Sequence, residues 1–390
     1  MAFAGYNGNM RVGESAGVAV CVRYGKMKKI VVEDDHFLKI LGVILDPTTP
    51  EPHREAVCRF FAHDVPDFLG WCEQLRARFP GLYPVEVVFV ADQEELAAKI
   101  READAAIVES LIIDRSVLAA APRLALVHKF GTITNNIDLA ACAEHNVPVA
   151  TVRRHVNIAV AEQAFSLAMA LAKRIRPLAG LVEAGALEAA GWHVRERSPF
   201  AGYSNFSGIT GLKMLFGATL GIIGLGEVGR ELARRAQAFE MKTLYFQRRR
   251  LAEQDELSLG ATYARLDDLM ARSDFIVVQL PLNESTRGLI GRNELARVKP
   301  GAVLINVARA ELIDHDALIE ALEHGRLGGF GLDVGYNEPT DPAEPLLQYR
   351  DGNVILMPHT AIGARDNALH DLDRLCSNVW HAVTGRHASN

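Results

Sequence analysis

The sequence predicts an α/β protein built from two doubly wound parallel-sheet domains with a cleft between them. Three observations carry that expectation. Short β-branched runs alternate with helical patterns in two separate series, the signature of parallel strands joined by crossover helices. A glycine-rich turn opens the second series, between an apolar run and a helix of good formers. The chain has 390 residues, and at about 100–200 residues per domain that leaves room for two cores.

The first series has strand candidates at residues 29–32, 85–90, 105–108, 124–127 and 149–152. Pro148 fits the start of the last of these, where a missing N–H is tolerated. Helical patterns cover 94–103 and 137–145, and the stretch 52–80 reads as a mostly helical elaboration. Residues 157–174 are apolar nearly all round, so a helix there should be buried or lie at a subunit contact. Residues 185–215 read as a long loop with short helical pieces, a length that often has a function. The second series places strands at 219–223, 242–246, 275–279, 303–306, 330–334 and 354–357, with helices at 228–239 and 314–323.

Composition excludes several classes. A formal net charge of -6 implies no broad basic face, so neither nucleic acid nor an anionic membrane is an expected partner. No apolar run approaches the roughly 18–20 residues that span a bilayer. The cysteines Cys21, Cys58, Cys72, Cys142 and Cys376 are odd in number and widely spaced. Neither a disulfide framework nor a metal site is expected from them, and a cytoplasmic location fits. Residues 1–28, with their frequent Gly, Asn and Ser, read as a flexible N-terminal extension.

The strongest motif is Gly224-Leu225-Gly226-Glu227-Val228-Gly229. Gly224 permits the tight turn, Gly226 lets a pyrophosphate approach the backbone, and Gly229 lets the helix pack on the sheet. The N–H groups of Glu227 and Val228, at the helix start, would hold the phosphates. This makes the second domain a Rossmann dinucleotide-binding unit. The next strand ends in Gln247-Arg248-Arg249-Arg250, with no acid to pair with a ribose 2′-hydroxyl. Guanidinium groups grip a 2′-phosphate in bidentate fashion, so Gln247, Arg248 and Arg249 predict NADP in preference to NAD.

Three downstream motifs each follow a strand candidate: Asn306-Val307-Ala308-Arg309-Ala310, Leu332-Asp333-Val334-Gly335-Tyr336-Asn337-Glu338-Pro339, and Met357-Pro358-His359-Thr360-Ala361. Carboxyl ends of strands line the ligand crevice of an open α/β sheet. Reduction of a ketone builds negative charge on oxygen, and histidine is suited to donate the proton. A neighbouring carboxylate orients the imidazole, and a guanidinium binds a substrate carboxylate in bidentate geometry.

With these motifs in place, the chain resembles the D-isomer-specific 2-hydroxyacid dehydrogenase family from about Lys29 to Asn390. The linked segment from Leu280 through Pro339 is the most specific part. The resemblance implies hydride transfer between NAD(P) and a small anionic 2-hydroxy or 2-oxo acid. It implies that Arg309 binds substrate, that His359 is the acid/base and that Glu338 is its partner. Asp333 matches an aspartate that contacts the nicotinamide carboxamide, and Leu280-Pro281, with Val307 and Ala308, lies along the cofactor. A loop of the first domain, here Phe130-Gly131-Thr132, faces the substrate carboxylate, and Lys129 beside it is a candidate extra positive charge. The chain departs from the family at Ile133 and Ala310, where glycines are usual, and at Gln247, where an aspartate is usual.

The family's architecture implies a flavodoxin-like substrate domain over 29–151, a Rossmann domain over 152–359, and a return to the first domain over 360–390. It also implies a homodimer. Two other readings stay open at this point. One is a dinucleotide-sensing, corepressor-like binding protein, and the other is a phosphite- or formate-type dehydrogenase of the same fold.

Overall fold

The structure, a computed structural model, describes residues 27–200 and 202–384. The expected extension falls mostly outside those residues. Its last two positions do not belong to it. Met27 is buried in the first core, and the Lys28 N–H donates to the Asp104 carboxylate at 2.7 Å.

Two parallel sheets form. The first contains β1 (Lys29–Glu33), β2 (Glu86–Val90), β3 (Ala105–Val108), β4 (Leu126–Lys129) and β5 (Val149–Thr151), in the order β2-β1-β3-β4-β5. The second contains β6 (Thr219–Ile223), β7 (Lys242–Phe246), β8 (Ala261–Tyr263), β9 (Phe275–Val278), β10 (Ala302–Asn306), β11 (Leu327–Leu332) and β12 (Val354–Leu356). Its order is β12-β11-β10-β9-β6-β7-β8.

Successive strand residues point to opposite faces, so a sheet covered on both sides must be apolar throughout. The cores follow that rule. Ile30, Val32, Ala105, Ile107 and Leu126 enter one cluster, while Val31, Ala106, Val108 and Val127 enter another on the opposite face. In the second sheet Ile222, Val277 and Ile305 face one cluster, and Ile223, Ile276 and Leu304 face the other.

Several boundaries differ from the sequence expectation. β4 runs two residues later because His128 and Lys129, polar by type, are buried in it. β11 begins at Leu327 and ends at Leu332. Its Gly328-Gly329 start reads poorly as strand, yet a side chain at Gly328 would collide with the Gly301 carbonyl, so close backbone approach requires glycine there. The 52–80 elaboration is two helices, Glu51–Phe61 and Phe68–Arg78, preceded by the buried helix Ile40–Leu45. Between β7 and β9 stand a helix (Glu253–Leu259), β8 and another helix (Leu266–Arg272), none of them anticipated.

The chain crosses between the sheets twice. After β5 it enters the helix His155–Ala172, whose Val156 packs in the first core and whose Ala161 to Ala172 pack in the second. After β12 it returns through the helix Asp366–Thr384, whose Leu369, Leu372, Leu375 and Val379 complete the first core. The first crossing helix has no local side-chain cap. Asp371 supplies one from the returning helix, accepting from the His155 N–H at 2.6 Å and the Val156 N–H at 3.3 Å.

His128 gives the fold a pH signature. It is fully buried, and the Asn378 amide donates to its Nε2 at 3.1 Å. Burial pushes the imidazole down to about 3. The unfolded chain protonates near about 6.5, so the unfolded state binds the extra proton first as pH falls. The contribution of a neutral His128 is therefore whole above that value and declines below it. From pH 7 to pH 5 the loss should be about 2 kcal/mol. His128→Gln keeps an acceptor for Asn378 and removes the titration. The urea midpoint should fall less between those pH values in His128→Gln than in the unmodified protein, and equal falls would refute the assignment.

Candidate active site

The functional motifs meet because their strands are neighbours. β12, β11, β10, β9 and β6 lie side by side, about 4.8 Å apart. Their carboxyl ends therefore bring His359, Asp333 with Glu338, Arg309, Leu280-Pro281 and Gly224 to one edge of one sheet.

His359 sits just beyond β12. Its Nδ1 is 3.0 Å from Glu338 Oε2. A carboxylate only accepts, so Nδ1 carries the proton, and Nε2 is the atom left to exchange a proton with a ligand. The other Glu338 oxygen accepts the Gly335 N–H at 3.1 Å, which fixes the carboxylate to its own loop. His359 has a left-handed backbone, φ 54, rare and strained for a residue with a side chain. Two bonds hold it so. The His359 N–H donates to the Asp333 carbonyl at 2.8 Å. The buried Asp333 carboxylate accepts the N–H groups of Thr360 at 3.1 Å and Ala361 at 2.9 Å.

Asp333 thus organises the turn that presents His359, and its side chain is fully buried. Gln163, from the crossing helix, donates to the same carboxylate at 3.3 Å. Arg309 is exposed at the end of β10. The Asn306 side chain closes its loop, donating to the Arg309 carbonyl at 2.8 Å and accepting from the Ala308 N–H at 3.0 Å. One guanidinium N–H of Arg309 donates to the Ala308 carbonyl at 2.8 Å, and the others face outward without a partner among the described residues.

The glycine turn fits a dinucleotide. Gly224 has φ +102, and a side chain there would strike the Gln279 carbonyl. A side chain at Gly229 would strike the Gly224 carbonyl, whereas one at Gly226 would meet nothing. Two glycines are thus needed by the fold, and the third opens onto free space, the approach a pyrophosphate requires. The helix Glu227–Ala238 that follows has no side-chain cap, so its first N–H groups remain available to an anion. Beside the turn, the buried Gln279 Nε2 has no protein partner, as expected of an amide that meets a ligand.

At the tip of β7 the three arginines divide. Arg250 is bidentate to Glu256, both bonds at 2.8 Å. Those bonds, with one from Tyr245, hold the Glu256 carboxyl down to about 2. Gln247 Nε2 donates to the Arg249 carbonyl at 2.6 Å. The side chains of Arg248 and Arg249 are exposed and have no ion pair among the described residues.

Across from this edge lies the loop after β4. Phe130 is buried in the first core, so only its backbone can face a ligand. Lys129 is buried as well. Its Nζ donates to the Glu109 carbonyl, and desolvation holds it below the ordinary lysine range. It does not point to solvent. Gly131, Thr132 and Ile133 meet the glycine turn directly. Glu227 Oε1 accepts the N–H groups of Thr132 at 2.6 Å and Ile133 at 2.7 Å, and Oε2 accepts the Thr132 hydroxyl at 2.8 Å.

Sequence reasoning missed Arg153 and Arg154, which follow β5. Arg153 is bidentate to the buried Glu231, at 2.8 and 2.7 Å. The Arg154 guanidinium lies 4.0 Å from the Phe130 ring centroid, with its Nε unpartnered and buried. Two consecutive arginines immediately after a strand were the available signal.

Comparison with known proteins bears on this geometry. The profile of the D-isomer specific 2-hydroxyacid dehydrogenase NAD binding domain matches residues 165–361. A glyoxylate reductase of Thermococcus litoralis is 36% identical over 269 residues, 68% of this chain and 76% of that protein. Another, of Aeropyrum pernix, is 35% identical over 296 residues, 75% of this chain and 84% of its own length. Among solved structures, a Pyrococcus horikoshii protein superposes with a TM-score of 0.55 at 26% identity, covering 91% of both chains. A glyoxylate reductase from Paecilomyes thermophila gives a TM-score of 0.50 at 26% identity, covering 92% of this chain and 95% of that one.

Proposed function

The chain belongs to the D-isomer-specific 2-hydroxyacid dehydrogenase family, and on that premise we propose that it reduces a small anionic 2-oxo acid of the glyoxylate class to the D-2-hydroxy acid, with NADPH preferred over NADH. Oxidoreduction between 2-hydroxy and 2-oxo acids with a nicotinamide dinucleotide is what membership establishes. The substrate, the dinucleotide preference and the residue roles are our reading. We read residues 29–151 with 360–390 as its substrate unit and 152–359 as its dinucleotide unit, of which 385–390 lie outside the described residues. The observation that carries it is the His359–Glu338 pair at 3.0 Å, on the same sheet edge as Arg309 and the glycine turn.

A bound nicotinamide dinucleotide supplies the hydride to the carbonyl carbon. The outward N–H groups of Arg309 pair with the substrate carboxylate and polarise the carbonyl oxygen. His359 Nε2 delivers the proton to that oxygen as charge develops. Glu338 holds the ring so that Nε2, not Nδ1, faces the reacting atom, and Asp333 sets the direction of the whole turn. The relatives named glyoxylate reductases support the choice of a short substrate.

We further propose a cytoplasmic location and a homodimer. No helix among the described residues is long and apolar enough to cross a membrane. A homodimer would cover the exposed apolar side chains of Ile175, Val182, Phe200, Met214 and Phe216, all on the segment following the crossing helix. Light scattering should show a dimer that Met214→Asp with Phe216→Asp converts to monomer. A monomeric unmodified protein would refute this.

Arg309→Lys should be severely impaired, since an ammonium cannot reproduce the guanidinium fork. His359→Ala should lose on the order of 10²–10⁴-fold in kcat, while both variants still quench or shift dinucleotide fluorescence on binding. Near-normal kcat/KM for glyoxylate in Arg309→Lys would remove it from the assigned role.

Replacing Arg248 and Arg249 together with Ala should raise KM for NADPH about tenfold or more, since each charge-assisted hydrogen bond is worth roughly 1.5–3 kcal/mol. KM for NADH should hardly move. Equal use of NADH and NADPH by the unmodified protein would overturn the dinucleotide preference.

A further inference from the structure

We propose that Glu227 is an internal competitor for the substrate's carboxylate. It fills the anion site of the first-domain loop until substrate displaces it, and so sets the affinity of the cleft. The inference rests on the reading of Phe130–Ile133 as the loop that receives the substrate carboxylate.

The loop is built to hold an anion. Consecutive N–H groups at Thr132 and Ile133 converge on one oxygen, and the Thr132 hydroxyl meets the other. Convergent backbone N–H groups of this kind form a nest for negative charge. Gly131, φ +156, shapes it, and a side chain there would press on Glu227 Oε1 at 2.8 Å. Two cations lie behind the nest. Lys129 and Arg154 are both within electrostatic reach of Glu227, and they also face Glu109 and Glu33, and Asp35, Asp371 and Glu109, respectively. Arg154 keeps its buried Nε unpartnered beneath the loop.

The group now in that nest belongs to the other domain. Glu227 is the first residue of the helix after the glycine turn. Among the described residues its carboxylate makes no hydrogen bond other than those three. Each backbone amide has one hydrogen to donate. A substrate carboxylate therefore binds at Thr132 and Ile133 only once Glu227 has left. The glycine turn is also where a pyrophosphate would dock, and its charge opposes a carboxylate held beside the helix start. Lys129 is held by the Glu109 carbonyl and Arg154 lies over the Phe130 ring, so neither depends on Glu227 for its position, and the Thr132 and Ile133 N–H groups are left free for another anion when Glu227 swings away.

An equilibrium between a filled and a free nest lowers apparent affinity by the fraction that is free. If the nest is filled about nine-tenths of the time, removing the competitor tightens anion binding roughly tenfold. A permanent clamp would behave oppositely, since losing it would loosen the loop and weaken binding.

The test uses oxalate, a small dicarboxylate of substrate size, titrated calorimetrically into the cofactor-free protein. Glu227→Ala should bind it about tenfold more tightly than the unmodified protein, the scale of one lost charge-assisted hydrogen bond. Glu227→Gln, whose amide oxygen still accepts but carries no charge, should fall between them. KM for glyoxylate should decrease in the same order. Unchanged or weaker oxalate binding in both variants, or no oxalate binding to any of them, would overturn the proposal. A separate arm tests the reading beneath it. Should Arg309→Lys bind oxalate and reduce glyoxylate like the unmodified protein, the substrate site itself is misassigned. With Arg309→Lys impaired and the Glu227 variants unmoved, only the competitor role fails.

Discussion

Both crossings between the sheets are fixed at one point by the Asp371 carboxylate. It is 1% exposed and accepts the two N–H groups that begin the outgoing helix, while its own helix is the returning one. His155 Nδ1 lies 3.0 Å from the same group. Helix starts leave N–H groups without partners, and this start lies at the hinge, where an unsatisfied donor would be costly. By capping one crossing from the other, the fold makes the path out and the path back a single joint. On the far side of that joint the two sheet edges meet again where Glu227 takes the N–H groups of Thr132 and Ile133.

The second sheet and its edge were largely legible. Alternation of apolar runs, the glycine turn and three motifs after strands depend on local composition, and local composition determines strand ends and turns. Less legible were the places where a residue's type and its environment disagree. His128 and Lys129 look as if they lie beyond a strand, yet they are its last two residues and are buried. Gly328 and Gly329 look like a loop, yet begin a strand that passes too close to Gly301 for any side chain. Partners remote in sequence were invisible. Glu227 and Thr132 are 95 residues apart, and His155 and Asp371 are 216 apart. Nothing in either local sequence names the other. Asp333 was picked out from its motif, but its internal donors, which make it a support for the His359 turn, depend on a packing that sequence does not display.

The basic tip of β7 shows how structure refines a charge run. Three arginines in a row read as a single patch. Arg250 instead folds back onto Glu256, which also receives the buried Tyr245 hydroxyl at 2.6 Å. One arginine, itself exposed, is thereby tied down and braces the loop. Its two neighbours have no ion pair among the described residues, at the strand end where a ribose would lie. Arginine suits such a position better than lysine because its planar fork matches phosphate oxygens.

The contacts between the two domains differ in burial, and burial decides which can break. At the joint, Asp371 of the returning helix is 1% exposed and takes the N–H groups of His155 and Val156. Opening that contact would leave a buried carboxylate without its donors, which costs more than the roughly 1–3 kcal/mol of an unsatisfied neutral group. That end of the molecule is accordingly the fixed one. At the mouth, the Glu227 contacts with Thr132 lie in exposed surroundings, where water competes for every donor and salt screens the charge. Identical chemistry, a carboxylate meeting donors of the other domain, is rigid at the back of the cleft and exchangeable at its entrance. A cleft closed by a buried pair would exclude substrate along with water. One closed by an exposed carboxylate leaves its donors open to exchange with the carboxylate of the proposed substrate.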